Sequence, residues 1–442
     1  MTRLPMHPVD AAWLHMDGRA NAAIVTVLLT ARRRFDADAV RDQFERRFAS
    51  LPAFRRRVAD ATTWAGVPEW IEDEGVDIAQ HVHHRALPAG ATARDLRALV
   101  EDLASAPLPA GLPPWQVHVV DGPGAGGAVV LRYHHCLGDG AAMMMVARQV
   151  FDGEGAREPL PPGRRAEPPA PPSLVEAAGQ LAATSVESAA ALVRDLLRSA
   201  DPAGPLKGAL ATRQRLAWSR PIPLVEVRHA AHAQGAHLND LVVAAVAGAL
   251  RAYLREGGAP GTEERLRAMM PVNLRGAGAG GDGSGNEFGL VLVDLPVEVA
   301  DAAGRLEAAK TRMTALKASA EAGAMHGLFE VFGRGPKALQ QVAQFIFGRK
   351  ASLVLSNVAG PARPLRLAGR AIDRMVFWVP HPGDELGLGI SVLSYRGGLS
   401  FGVLGDAHRI PEPERIVAGI EAEMDVLCRL ARRGRPAPRH GP

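Results

Sequence analysis

The sequence predicts an α/β protein made of two domain-sized halves, and three observations predict it. Short β-branched runs alternate along the chain with stretches whose apolar residues recur at helical spacing. A segment rich in Pro, Arg and Glu, 157–172, has no apolar periodicity and reads as a linker. The chain has 442 residues, more than one simple core accommodates. The resulting division is an N-terminal domain over 1–156, a linker with a connecting helix over 157–215, a C-terminal domain over 216–431 and a disordered tail over 432–442.

In the first half, 6–18 reads as a short helix stopped by Gly18, and 21–30 as a strand. Val40, Phe44 and Phe48 recur at spacing four behind Asp36, a good cap, and predict a helix. Pro52 opens a strand over 54–58, and the histidine-containing 76–88 reads as an edge strand rather than a metal cluster. A helix over 91–104 follows. Trp115, Val117 and Val119 alternate with Gln116 and His118, the period of a half-buried strand. A glycine turn, 122–127, then folds the chain back into a second strand, giving a hairpin.

Beyond the linker, 174–197 is a moderately amphipathic helix whose Ala/Leu/Val face reads as packed on the protein, with a membrane face as the other reading. Helices are expected over 224–235 and 237–250, the second capped by Asn239 and apolar nearly all round, hence buried. The stretch 266–275 reads as a strand, and a glycine run leads from it into another strand after Asn286. That run is no phosphate loop, because no Lys-Ser/Thr and no helix follow it. Helices over 300–320 and 336–347, a turn within 351–361 beside a strand end, strands near 374–379, 389–395 and 399–404, and a helix over 413–430 complete the chain.

Composition narrows the function. Net charge is +4 and the arginines are scattered, which argues against a nucleic-acid surface. Arg32-Arg33-Arg34 and Arg55-Arg56-Arg57 read as solvated edges, with an acidic ligand or a membrane face as the other reading. Two cysteines, Cys136 and Cys428, make no disulfide framework and suit a reduced cytoplasmic protein. The N-terminus lacks a signal-peptide core, and no apolar run reaches the ~18 residues of a spanning helix.

The chemistry concentrates in Tyr133-His134-His135-Cys136-Leu137-Gly138-Asp139-Gly140. Two imidazoles sit where a strand ends and the chain turns, and glycines flank Asp139. An imidazole there suits general-base work, its ordinary pKa of about 6.5 lying near the operating pH. A metal site would need a third ligand at a recognised spacing, and none is visible. Cys136 as a nucleophile is disfavoured if strand alternation persists, since it then points away from His135. Asp139 serves structurally if it pairs with an arginine elsewhere.

The string His134-His135-x-x-x-Asp139-Gly140 resembles that of the bacterial wax ester synthase/diacylglycerol acyltransferase family. This family lies within a wider group that also holds peptide-synthetase condensation domains and chloramphenicol acetyltransferase. Further motifs occur in the family's order: an acidic residue at Asp17, Pro113-Pro114-Trp115 for the family's Pro-Leu-Trp, Asn239-Asp240, Gly285-Asn286, and Ser356-Asn357-Val358-Ala359-Gly360-Pro361 with Ala359 for Pro. The chain departs from the family at Asn21-Ala22-Ala23-Ile24-Val25, where Met-His-Val is usual. The resemblance spans 8–406.

It implies two chloramphenicol-acetyltransferase-like α/β domains with mixed sheets and a tunnel between them. It implies an enzyme carrying an acyl group from acyl-CoA to a long-chain alcohol or diacylglycerol, giving wax ester or triacylglycerol. Acyl-CoA is then a substrate, and neither a cofactor nor a metal is expected. His135 would be the base and His134 a positioning group. Asp139 would pair with Arg275, and Asn286 would donate to the oxyanion, with Ser356 and Asn357 as alternatives. Asp17, Trp115 and Gly140 would lie along the substrate path. The setting would be the cytoplasm, peripheral on a membrane or lipid droplet. Two other classes remain: a condensation-type enzyme taking its acyl group from a carrier protein, and a non-catalytic lipid-binding protein, against which the intact histidine pair argues.

Overall fold

In the computed structural model the strand leading into the histidine pair, Gly127–His134, is the middle strand of a five-stranded sheet. The structure describes residues 2–18, 20, 22–59, 68–72, 75–153, 199–201, 204–257, 265–274, 285–319, 321–334, 348–381 and 383–433. The sheet order is Arg374–Trp378, Ile24–Ala31, Gly127–His134, Trp115–Asp121, Val82–Ala86. All neighbours are antiparallel except the last pair, which is parallel. Val82–Ala86 thus forms one edge.

The opposite edge corrects the domain reading. Arg374–Trp378 was expected in the C-terminal half, yet it pairs along Thr26–Thr30 of the first sheet. Trp378, fully buried, donates from its indole Nε1 to Ala217 O at 3.0 Å and so ties this strand to the second sheet. That sheet is mixed and runs Phe288–Leu295, Leu266–Asn273, Leu353–Ala359, Leu388–Tyr395, Gly398–Asp406, Gln214–Trp218, with the short Ile222–Pro223 beside Gly398–Asp406. Helix Leu238–Glu256 covers it, packed by Pro413–Arg433; Ala249 meets Gly419, where a Cβ would lie 3.0 Å from its own.

Local chemistry accounts for the element ends. Asp36 accepts the Asp38 and Ala39 amides and starts helix Ala37–Gln43, which continues as a wider π turn through Phe44–Phe48. Thr92 and Asp95 form a reciprocal capping box ahead of Ala93–Ser105. Residues 52–55 form a 3-10 turn, not the expected strand, which is confined to Arg56–Val58. Asn239 is not the cap of its helix: His237 precedes the first turn, and Asp240 takes the His237 amide at 2.7 Å. Helix Glu321–Arg334 was not anticipated; it lies so close on Phe288–Leu295 that a Cβ on Gly289 would collide with the Ala322 carbonyl.

Strand Trp115–Asp121 is buried on both faces rather than half-buried. Trp115, Val117 and Val119 join the core under Phe44 and Phe48, while Val120 joins Leu28, Val130, Leu216 and Trp378 between the sheets. The polar Gln116 and Arg132 stay inside this second layer because Arg132 donates to Gln116 Oε1 at 3.0 Å and to Ala106 O. Arg32 reaches Asp373, and Arg55 and Arg56 share Glu72, so these arginines engage carboxylates of the protein itself. The C-terminal helix extends to Arg433, with Arg432 paired to Glu226 at 2.9 Å, which shortens the predicted tail. The linker 157–172, the helices over 174–197 and 336–347, the glycine run 276–284 and positions 434–442 lie outside the described residues.

Candidate active site

Strand Gly127–His134 ends at the first histidine, and one 3-10 turn, His135–Leu137, takes the chain out of the sheet. Strand alternation therefore stops before Cys136, and burial decides its character instead. The free thiol is enclosed, and desolvation pushes its pKa up, which keeps it a poor nucleophile. Gly138, with φ 156° and ψ 160°, occupies backbone space essentially reserved for glycine. It also lies flat against the second half: Gly285 donates its amide to Leu137 O at 3.0 Å.

Asp139 closes the turn. Its Oδ1 accepts the Ala141 and Ala142 amides, both at 2.9 Å, and caps helix Gly140–Val150. Its Oδ2 accepts the Glu287 amide of the other half at 3.0 Å. Asp139 is thus a brace between halves; Arg275, its expected partner, lies outside the described residues. Asp139→Ala is expected to lower stability by about 1–3 kcal/mol, through a lost cap and an unpaired buried amide. Asp139→Asn, which keeps the capping oxygen, should lose less. Urea denaturation of both variants checks the order; equal losses would remove the capping explanation.

The His134 Nδ1 accepts the Cys136 amide at 3.1 Å, and its Nε2 faces Asp17 Oδ1 at 3.0 Å. Burial opposes a charge on this ring, while the Cys136 sulfur and the Asp17 carboxylate favour one. With Cys136 held as a neutral thiol, hydrogen bonding decides: only the neutral ring accepts the amide, so Nε2 carries the proton and donates to Asp17. Asp17 also accepts the Ala23 amide at 2.7 Å. Expected on the substrate path, Asp17 anchors His134, and it does not line the cavity that holds His135.

His135 is built differently. Its ring stacks on Trp13, centroids 3.9 Å apart at 15°, and its Nδ1 lies 3.0 Å from Asn286 Oδ1. The orientation of that amide is fixed by its neighbours. Asn286 Nδ2 donates to Asp10 Oδ1 at 2.8 Å and to His135 O at 2.8 Å, and both are acceptors only. Asn286 N adds a second bond to Asp10 Oδ1 at 3.0 Å. The amide oxygen therefore faces Nδ1, Nδ1 must carry a proton, and Nε2 is left as the basic nitrogen. Burial pushes the His135 pKa down to about 4, against the opposing pull of Asp139, so the ring is neutral near pH 7.

This geometry corrects Asn286 as an oxyanion donor, because both its amide hydrogens are already engaged. Asp10 and Trp13 escaped the sequence reading. The signal for Asp10 was a carboxylate inside the apolar run Val9-Asp10-Ala11-Ala12-Trp13, where it is now 2% exposed.

His135 lines a cavity of about 580 Å³ between the halves. Its wall includes Trp13, Asp139 and Gly140 from one side and Phe288, Ser356 and Asn357 from the other. Ser356 and Asn357 lie within strand Leu353–Ala359, not in the turn after it, and Asn357 donates to Asn239 Oδ1 at 2.6 Å. Trp115, expected near the substrate, is fully buried in the core, where its indole donates to Phe54 O at 2.9 Å.

Residues 6–201 match the wax ester synthase/diacylglycerol acyltransferase catalytic domain, and residues 284–427 match the C-terminal domain of the same enzymes. The chain belongs to the wax ester synthase/diacylglycerol acyltransferase family. A probable diacylglycerol O-acyltransferase of Mycobacterium tuberculosis is 30% identical, with 96% of this chain and 98% of the relative covered. A second putative diacylglycerol O-acyltransferase of that species is 28% identical, over 91% of this chain and 84% of the relative. Among solved structures, the wax ester synthase/diacylglycerol acyltransferase from Marinobacter aquaeolei VT8 superposes with a TM-score of 0.70 at 25% identity, covering 97% of this chain and 99% of the other. The first condensation domain of the calcium-dependent antibiotic synthetase shares the fold, with a TM-score of 0.61 at 17% identity and coverage of 99% and 97%. As a member of the wax ester synthase/diacylglycerol acyltransferase family the chain is an acyltransferase with two chloramphenicol-acetyltransferase-like α/β domains. No helix among the described residues is long and apolar enough to cross a membrane.

Proposed function

We propose that this acyltransferase moves a long-chain acyl group from acyl-CoA to the hydroxyl of a long-chain alcohol or diacylglycerol, with His135 as general base. The observation that carries the reading is the neutral His135 on the cavity wall, with Nδ1 committed to Asn286 and Nε2 basic. Nε2 takes the acceptor's hydroxyl proton as its oxygen attacks the thioester carbonyl. The tetrahedral oxyanion collapses, the C–S bond breaks, and the imidazolium returns its proton to the departing CoA thiolate. No acyl-enzyme forms, and the buried Cys136 takes no part. With the Asn286 donors spent, Ser356 supplies the hydroxyl donor for the oxyanion.

The substrates' low solubility calls for delivery from a membrane or lipid-droplet surface, since each methylene gains about 0.8 kcal/mol on leaving water. Among the described residues Val225, Val272 and Leu274 are the large apolar side chains left exposed. Val272 and Leu274 adjoin Asn273, a cavity-lining residue, in sequence. The test supplies palmitoyl-CoA and palmitoyl-acyl-carrier protein at equal concentration, with hexadecanol or a diacylglycerol as acceptor. Ester formation from the CoA thioester is expected. Turnover confined to the carrier-bound donor would replace this reading with the condensation-type one.

A further inference from the structure

The cavity that holds His135 carries one cationic side chain that the proton transfer leaves unused. Helix Gly140–Val150 turns one face to this cavity: Gly140, Met144 and Arg148 follow at spacing four, with Gln149 beside them. The stripe begins next to Asp139 and ends at Arg148, about 12 Å further along the helix axis. Arg148 is the one arginine or lysine among the described lining residues. Neither its guanidinium nor the Gln149 carboxamide has a hydrogen-bond or ion-pair partner among the described residues. Gln149 is 7% exposed, yet its carboxamide is not walled in, so it opens on the cavity. A nearly buried amide without a partner calls for one. A basic residue in a last helical turn also suits the helix dipole, but that interaction needs no cavity and leaves Gln149 unexplained.

We propose that Arg148 and Gln149 form a subsite for the phosphopantetheine arm of the acyl donor, Arg148 forking onto its phosphate and Gln149 meeting an amide of the arm. The proposal rests on the acyl-transfer reading above. Of the substrates in that reading only the donor carries an anion, since a long-chain alcohol and a diacylglycerol are neutral. The donor also carries two amides between its thioester and its first phosphate, so a carboxamide beside a cation matches the groups along it. With the thioester carbonyl at His135, the extended arm spans the separation of about 12 Å along the helix. A guanidinium presents paired N–H donors to phosphate oxygens, and a glutamine side chain both donates and accepts. The phosphate is common to CoA and to a carrier-borne arm.

The experiment compares kcat/KM for palmitoyl-CoA, palmitoyl-4′-phosphopantetheine and palmitoyl-pantetheine, which lacks phosphate, at fixed hexadecanol. In Arg148→Ala the ratio of the phosphopantetheine to the pantetheine thioester is expected to fall about tenfold or more, and Arg148→Lys, a point charge without the fork, should recover part of it. Gln149→Leu should lower kcat/KM for all three thioesters by about fivefold and leave that ratio in place. Palmitoyl-acyl-carrier protein as a further donor separates the two sources of the arm: the Arg148 dependence is expected with whichever of them turns over. Calorimetric titration with CoA alone reads the subsite without turnover, its Kd rising about tenfold or more in Arg148→Ala, and thermal melting reports folding. A folded Arg148→Ala protein with the wild-type ratio and the wild-type CoA affinity overturns the proposal and leaves Arg148 to the helix end. A loss confined to the KM for hexadecanol, equal with every donor, overturns it as well. Absence of ester formation by the wild type, with CoA binding still dependent on Arg148, would instead overturn the acyl-transfer reading and leave the subsite standing.

Discussion

His135→Ala is expected to leave a folded protein whose ester formation is slower by about 10²–10⁴-fold, the usual contribution of a positioned base. The loss falls on kcat, because cavity walls that hold the substrates remain. Stability should drop too, since Asn286 Oδ1 loses its hydrogen-bond partner and Trp13 loses a stacked ring. His134→Ala is expected to be milder in rate, because that ring bonds Asp17 and the Cys136 amide. The pH dependence separates this reading from a generic imidazole. Burial holds His135 near 4, below its ordinary 6.5, so the basic form is present across the neutral range. The acid limb of kcat/KM for wild type should therefore lie well below pH 6.5. A limb centred at 6.5, or wild-type turnover by a folded His135→Ala protein, would remove His135 from the base role.

Much of the scaffold was legible because it depends on local pattern. The strand ending at His134, the cap at Asp36 and the buried helix Leu238–Glu256 follow from period and capping chemistry read over short windows. Readings that failed depend on distant partners. Nothing near Arg374–Trp378 marks it as a strand of the first sheet; its partner, Thr26–Thr30, lies hundreds of residues earlier. Gln116 and His118 read as solvent-facing because the helix and second sheet that bury them lie elsewhere in the chain. In the site the residue types were visible but their roles were not. Asn286 looked like an oxyanion donor by position in the chain. Its role turns on where Asp10 and the His135 carbonyl sit, and those contacts exist only after the halves meet. Trp115 likewise looked like a pocket residue until its indole found Phe54 O.

Asn286→Ala is expected to lower kcat by about 10²–10⁴-fold while His135 itself is intact, because the base then loses the group that fixes its tautomer and ring position. A serine protease offers a measure: replacing the aspartate behind its histidine leaves the geometry and lowers kcat about 10⁴-fold through the wrong tautomer. Asn286→Asp is the sharper probe. An aspartate there still accepts the Nδ1 proton, but it places a second carboxylate against Asp10 and offers no hydrogen to the His135 carbonyl. Its negative charge beside the ring favours the imidazolium and raises the His135 pKa from about 4. The acid limb of kcat/KM should then move to higher pH than in wild type, a shift that simple loosening of the fold would not produce. Asp10→Asn retains an oxygen able to accept both Asn286 donors and should keep more activity than Asp10→Ala, which leaves those donors unpaired in a buried site at a cost of about 1–3 kcal/mol each. If Asn286→Asp leaves the pH limb in place, and Asp10→Asn fares no better than Asp10→Ala, the Asp10–Asn286 pair does not set the base, and its part is confined to joining the two halves.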